Sequence, residues 1–247
     1  MMEKRKIPDI NQLEYTFKKP VYNCPKCKDT GVIQVKDGSY EIYKICDCQK
    51  ELRNRLNMRR ANLSEKFENK NFKNFRCITK GHEVLRRCCI EFTKQDATKG
   101  LAILGNVGVG KTHLAVATLK ELAKQGLIVN AVNYATLSRE LSSAAMDKEE
   151  YARLMGKYTD VQVLLIDDLF KGKVTDANIR QMYELINSRY ESNKRTIFTS
   201  EYTEDKLMQI DEAIGSRIIE MADHKYCLNI TKLKNWRLRI DETAIYN

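Results

Sequence analysis

The eight residues Gly105, Asn106, Val107, Gly108, Val109, Gly110, Lys111 and Thr112 read G-x-x-x-x-G-K-T. Glycines at this spacing let the backbone curl until its N–H groups converge on phosphate oxygens, and a helix starting there adds its N-terminal dipole. In such a loop the lysine reaches the β/γ-phosphates and the threonine hydroxyl ligates Mg²⁺. Gly105 through Thr112, with His113 immediately after, are therefore the candidate cofactor-binding residues, and ATP with Mg²⁺ is the expected ligand pair.

A second apolar run, Val161 to Ile166, ends in Asp167 and Asp168. An apolar strand that delivers carboxylates at its C-terminal end is the usual partner of a phosphate-binding loop. Asp167 would complete the Mg²⁺ shell with Thr112, and Asp168 would orient or deprotonate an attacking water, making Lys111 and Asp168 candidate catalytic residues. The alternative is that the acidic pair caps the following turn.

A third group could hold a metal. Cys24 and Cys27 form Cys-Pro-Lys-Cys, and Cys46 and Cys48 form Cys-Asp-Cys. Between them Gly31 to Val35 and Tyr40 to Ile45 read as strands around a turn at Asp37-Gly38-Ser39. A hairpin returns the second pair to the first, so four thiolates can close a tetrahedral Zn²⁺ site in a segment too short to fold on its own core. A redox switch or inert thiols are the alternatives, and the second pair is one residue tighter than the usual Cys-x-x-Cys. Cys77, Cys88, Cys89 and Cys227 lack ligand spacing and read as ordinary buried or helix-surface cysteines.

The elements that must position these groups follow from the apolar pattern. Leu101 to Leu104 is a short buried strand feeding the glycine loop, and a helix runs from His113 to a stop at Gly126. Further strands are expected at Leu127 to Val132, Thr196 to Ser200 and Tyr226 to Ile230, with helices between them. Alternating strands and helices imply an α/β fold: a parallel sheet covered on both faces, with nucleotide at the strands' carboxyl ends. The expected organisation is a tail over residues 1–22, a zinc ribbon over 23–50, a basic helical linker over 51–75 and an ATPase domain over 76–247.

The chain has 247 residues and a formal net charge of +10. Residues 1–99 hold 23 Lys/Arg against 13 Asp/Glu, and the remainder holds 20 of each, so the whole excess lies in the first part. A basic segment joined to a neutral one points to a globular engine with an attached arm that meets an acidic partner. The 43% apolar content excludes disorder and low-complexity classes. Neither a signal-peptide pattern nor an apolar stretch of about 18 residues occurs, so a cytoplasmic protein without membrane contact is expected.

Taken together, these residues resemble the helicase-loader ATPases typified by DnaC and DnaI, within the AAA+ class, whose core is shared with IstB-type transposition ATPases. The resemblance rests on Asn62 to Phe67 leading to Phe72-Lys73-Asn74-Phe75, on Gly105 to Ala115, and on Leu164 to Leu169. It continues through Leu185 to Tyr190, Thr196 to Ser200 and Gly215-Ser216-Arg217, and the N-terminal cysteine ribbon resembles the DnaI-like branch. The resemblance implies that Arg217 is a catalytic arginine reaching a neighbour's ATP, so hydrolysis would need an ATP-dependent homo-oligomer. It also implies a replicative hexameric DNA helicase and single-stranded DNA as partners, and a role in primosome assembly.

Glu201 departs from the pattern, which carries Asn there as a γ-phosphate sensor. A carboxylate would repel phosphate unless protonated, metal-bound or turned away. Ser200 or Thr199 then takes over part of that role, or turnover is slow. Arg237 and Arg239 resemble the family's terminal arginine motif. Thr136 to Tyr158 resembles the extra helix of initiator-type members, Lys171 and Lys173 are candidate phosphate contacts for DNA, and Arg53, Arg55, Arg59 and Arg60 line the linker. The competing functions are an IstB-like transposition helper and a non-hydrolysing zinc adaptor that uses ATP as a conformational ligand.

Overall fold

The computed structural model describes residues 22–38, 40–49, 69–95, 100–233 and 235, and the chain divides between residues 50 and 51 into two compact units. Residues 51–68 of the expected linker, including its four arginines and Asn62 to Phe67, lie outside the described residues, as do Arg237 and Arg239.

In the first unit β1 (Val32–Asp37) and β2 (Tyr40–Ile45) pair antiparallel, from Val32 opposite Ile45 to Asp37 opposite Tyr40. Ahead of β1 the chain makes a tight knuckle. Lys28 N–H donates to Cys24 O at 2.9 Å, and Lys28 and Asp29 take left-handed φ values of 50° and 64°. The Asp29 carboxylate holds this turn by accepting from the Asn23 and Cys24 N–H groups at 3.1 and 2.8 Å. Cys46 N–H donates to Gly31 O at 2.8 Å, which brings the second cysteine pair alongside the first.

The second unit starts with α1 (Lys80–Phe92), then runs β3 (Leu101–Gly105), α2 (Lys111–Lys124), β4 (Val129–Asn133), α3 (Tyr134–Ser143) and α4 (Lys148–Thr159). It continues through β5 (Val163–Asp167), α5 (Asp176–Glu191), β6 (Arg195–Ser200), α6 (Glu204–Ile210), α7 (Glu212–Met221) and β7 (Cys227–Ile230). The sheet order is β4-β5-β6-β3-β7 and every pairing is parallel. Every residue of β3, β5 and β6 is buried, as expected for central strands covered by helices on both faces. The α/β reading therefore holds, with strand ends shifted by one or two residues. The helix after the glycine loop ends at Lys124, and Gly126 follows at φ +95°.

Two features differ from the sequence reading. The helical stretch from Thr136 to Tyr158 is two helices, because Asp147 caps the second: its carboxylate accepts from the N–H groups of Glu149 and Glu150, near 3 Å. Met146 stands at this break, 98% exposed. Arg189, quoted above only as part of a motif, is completely buried. Its guanidinium donates to the carbonyls of Tyr158, Thr159, Val161 and Arg195 and to Thr196 Oγ1 on β6, at 2.6 to 3.1 Å. Burial draws its pKa down to about 10, which leaves it charged at neutral pH. It staples the end of α5 to the chain entering β5 and β6, at the sheet end opposite the glycine loop.

Candidate nucleotide site and candidate metal centre

The glycine loop leaves β3 at its carboxyl end and enters α2. Gly105 sits at φ +105° against the carbonyl of Ile230, so close that any Cβ would overlap it. Gly110, at φ +92°, has the Phe75 ring 2.6 Å from where a Cβ would stand. Both positions demand glycine for conformation and for space. Asn106 Nδ2 donates to the carbonyls of Thr231 and Leu233 at 2.7 and 3.2 Å, tying the loop to the chain beyond β7. Asn235 lies against Gly108.

Lys111 Nζ donates to Gly105 O and Asn106 O, both at 2.7 Å. Burial lowers its pKa, and the carboxylates of Glu201 and Asp168 act in the opposite direction. Thr112 Oγ1 donates to Asp167 Oδ1 at 2.9 Å, so the two expected Mg²⁺ ligands, 55 residues apart, touch. Asp167 also accepts from Thr199 Oγ1 at 2.6 Å, and Thr199 Oγ1 in turn accepts from the Asp168 N–H at 2.8 Å. Burial pushes the Asp167 carboxyl up, and the Thr199 hydroxyl counteracts it. A metal cation beside this buried oxygen pair would stabilise its charge, so the donor set suits a hard divalent ion.

Lys70, Val107, Gly108, Gly110 to His113, Asp168, Lys171 and Glu201 enclose a cleft of about 160 Å³. Beside it lies a cavity of about 270 Å³ walled by Asn74, Phe75, Arg76, Ile78, His82, Gly108 to Gly110 and His113. His113 Nε2 pairs with Asn71 O at 2.9 Å and its ring stands edge-on to Phe75, with centroids 5.3 Å apart. His113 therefore fastens the segment before α1 to the start of α2, between the two spaces.

Several expectations are altered here. Lys171 faces the nucleotide cleft, held by Asp168 and Glu201, where the sequence had suggested a DNA-phosphate contact. Ser200 cannot stand in for a phosphate sensor, because its hydroxyl is buried and donates to Leu169 O at 2.8 Å. Thr199 serves Asp167 instead. The expectation that Arg217 reaches a neighbour's ATP is left as it stood: in its own chain Arg217 lies away from the cleft, donates to Asn187 Oδ1 at 2.8 Å and Ala213 O at 2.9 Å, and stacks near Tyr183 and Tyr190. What escaped sequence reading were contacts: Phe75 against Gly110, Thr199 on Asp167, and the pairing of Lys171 with Glu201. The only signal was the charged residue Glu201 at a strand end.

In the first unit the sulphurs of Cys24, Cys27, Cys46 and Cys48 all lie within 4.8 Å of one another. Cys24 and Cys46 Sγ are 3.8 Å apart, and Cys27 and Cys48 Sγ are 3.4 Å apart. Tetrahedral thiolates around Zn²⁺, with bonds of about 2.3 Å, stand about 3.8 Å from each other, so the shortened second pair does not spoil the geometry. The Cys27 N–H draws the Cys24 thiol down to about 7, while contact with the Cys27 thiol pushes Cys48 up. Four neighbouring thiols resist joint ionisation, a conflict that a bound cation removes. Burial pushes Cys89 up to about 12, consistent with an inert core thiol. No helix of the described residues is long and apolar enough to cross a membrane.

Comparison with known proteins agrees with this geometry. Residues 43–243 match the family model of IstB-like ATP-binding proteins. The phage-like element PBSX protein XkdC of Bacillus subtilis (strain 168) is 32% identical over 215 residues, spanning 81% of this chain and 79% of that protein. The solved DnaC helicase loader is 26% identical, with a TM-score of 0.55, over 68% of this chain and 98% of the other. DnaI, at 23% identity and a TM-score of 0.56 over 69% and 93% of the two chains, shares the fold. With a P-loop on a five-stranded parallel sheet and a match over most of its length, the chain belongs to the IstB-like ATP-binding family, whose fold it shares with the DnaC and DnaI helicase loaders.

Proposed function

We propose that this protein is an ATP-dependent loader of a replicative hexameric DNA helicase, acting in primosome assembly, with single-stranded DNA as a further ligand. The contact between Thr112 and Asp167 beside Lys111 carries the nucleotide part of this reading. The likeness to the DnaC loader carries the partner part. In this reading Gly105 to His113 cradle ATP, and the nucleoside end enters the cavity walled by Phe75 and His82. Thr112 and Asp167 would hold Mg²⁺, which neutralises phosphate charge. Lys111 contacts the β/γ-phosphates.

Asp168 orients a water whose oxygen bonds to the γ-phosphorus as the bridging P–O bond breaks and its electron pair leaves on ADP. The water's proton passes to the carboxylate and then to phosphate or solvent. Arg217, with its guanidinium held by Asn187, is offered to the γ-phosphate of an adjacent subunit, which makes turnover dependent on assembly. The hold of Lys171 on Asp168 favours slow turnover in the isolated chain. Cys24, Cys27, Cys46 and Cys48 bind structural Zn²⁺, and the ribbon with the basic N-terminal region docks onto the helicase.

Lys111→Ala is expected to abolish Mg-ATP turnover, and a hexameric helicase from the same genome should capture the wild-type chain. Binding of ATP that never leads to turnover, with or without helicase and single-stranded DNA, would replace the loader with a nucleotide-responsive adaptor. Capture of a transposase in place of a helicase would favour the transposition helper.

A further inference from the structure

The nucleotide cleft contains an ion pair that a phosphate-binding loop does not require. Lys171 Nζ stands 2.7 Å from Glu201 Oε1 and 3.1 Å from Asp168 Oδ2. All three side chains line the same cleft as Lys111 and Thr112.

The backbones that carry them are tied together. Leu169 N–H donates to Thr199 O at 2.8 Å, and Ser200 Oγ donates back to Leu169 O at 2.8 Å. Leu169 and Phe170 are completely buried, and the chain turns through φ 61° at Phe170 and φ 100° at Gly172. Lys171 is thus projected from a fixed stem, and its flexible side chain is what can move. Its ammonium has three N–H donors, and the two carboxylates engage two of them. The longer contact, to Asp168, is the one more readily exchanged. A bare Glu201 carboxylate here would oppose a γ-phosphate, whereas a paired one holds a cation where that phosphate arrives.

Resting on the ATP reading above, we infer that Lys171 and Glu201 form a γ-phosphate-sensing pair. Lys171 gives up Asp168 for a γ-phosphate oxygen of ATP, which frees Asp168 to orient water. Glu201 retains the ammonium in the cleft when the bound nucleotide is ADP. The site thereby reads the third phosphate with a charged pair in place of a neutral sensor.

Affinities of the full-length chain for Mg-ATPγS and Mg-ADP, measured by calorimetry, test this. Lys171→Ala should weaken ATPγS binding about tenfold while ADP stays within about twofold, because only the γ-phosphate meets the uncompensated carboxylate. Adding Glu201→Gln to Lys171→Ala should recover most of the lost ATPγS affinity, and Lys171→Arg should keep the preference for ATPγS over ADP. Thermal melting confirms that each variant folds, and Lys171→Met replaces the alanine variant if that one does not. Equal losses for both nucleotides, no loss for either, or no recovery in the double variant would overturn the sensing pair while leaving the ATP site intact. A wild-type chain that binds neither nucleotide would overturn the ATP reading and the pair with it.

Discussion

In the cysteine unit the only buried described residues are Cys27, Gly31 and Cys46, and Tyr40, Tyr43 and Ile45 stand 69% or more exposed on its hairpin. In the sheet unit three whole strands are buried, and Arg189 is sealed inside with every donor group engaged. A two-stranded hairpin cannot remove enough apolar surface from water to offset the entropy of ordering its chain. On the zinc reading proposed above, the first unit draws its stability from four metal-bound thiolates, and the second draws it from packing. On that reading one fold is conditional on an ion and the other is not.

Metal removal should separate the two most sharply. Chelation, or Cys27→Ser with Cys46→Ser, should unfold the hairpin outright, since a structural Zn²⁺ site is worth on the order of 10 kcal/mol. ATP binding by the sheet unit should survive. Zinc content, hairpin amide exchange and nucleotide affinity measured on the same sample check this, and loss of all three together would break the distinction.

The reciprocal experiment is Arg189→Ala. It removes the shared donor of four carbonyls and of the Thr196 hydroxyl, which keeps its bond to Lys194 O, and should cost the sheet unit about 3 to 5 kcal/mol, read as a lower midpoint in urea. Zinc retention should be unchanged. Thr199→Val is expected to act more locally: it removes one hydrogen bond from buried Asp167 and should weaken Mg-ATP binding about tenfold with little change in melting temperature.

The smallest effect is a pH slope. Burial holds the His113 imidazole below the usual histidine range. Between that lowered value and the unfolded value near 6.5, the unfolded chain binds the extra proton, so stability should fall as pH drops below about 6.5. His113→Gln should flatten that slope in the sheet unit, as followed by denaturant midpoints.

The glycine loop, the strand before it and the two aspartates were legible in the sequence because each is local: glycine conformations, an apolar run, and carboxylates at its end. The four cysteines were legible for a related reason, since a short hairpin leaves them one meeting point. The break at Asp147 was harder to see, because Ala144, Ala145, Met146, Lys148 and Glu149 around it all favour helix and no Gly or Pro marks the stop. Lys171 read as a candidate DNA-phosphate contact, since its partner Glu201 is 30 residues away.

By itself, then, the sequence determined the phosphate-binding chemistry, the alternation of strands and helices, and the set of thiols, all of which depend on residue type and near neighbours. Tertiary structure alone decided that Thr199 bonds Asp167, that Arg189 closes the far end of the sheet, and that Lys171 lines the cleft beside the glycine loop. Those contacts join residues from different strands, a helix and loops. Their partners are chosen by the parallel order β4-β5-β6-β3-β7, which lays β5, β6 and β3 side by side and gathers their carboxyl ends into one cleft.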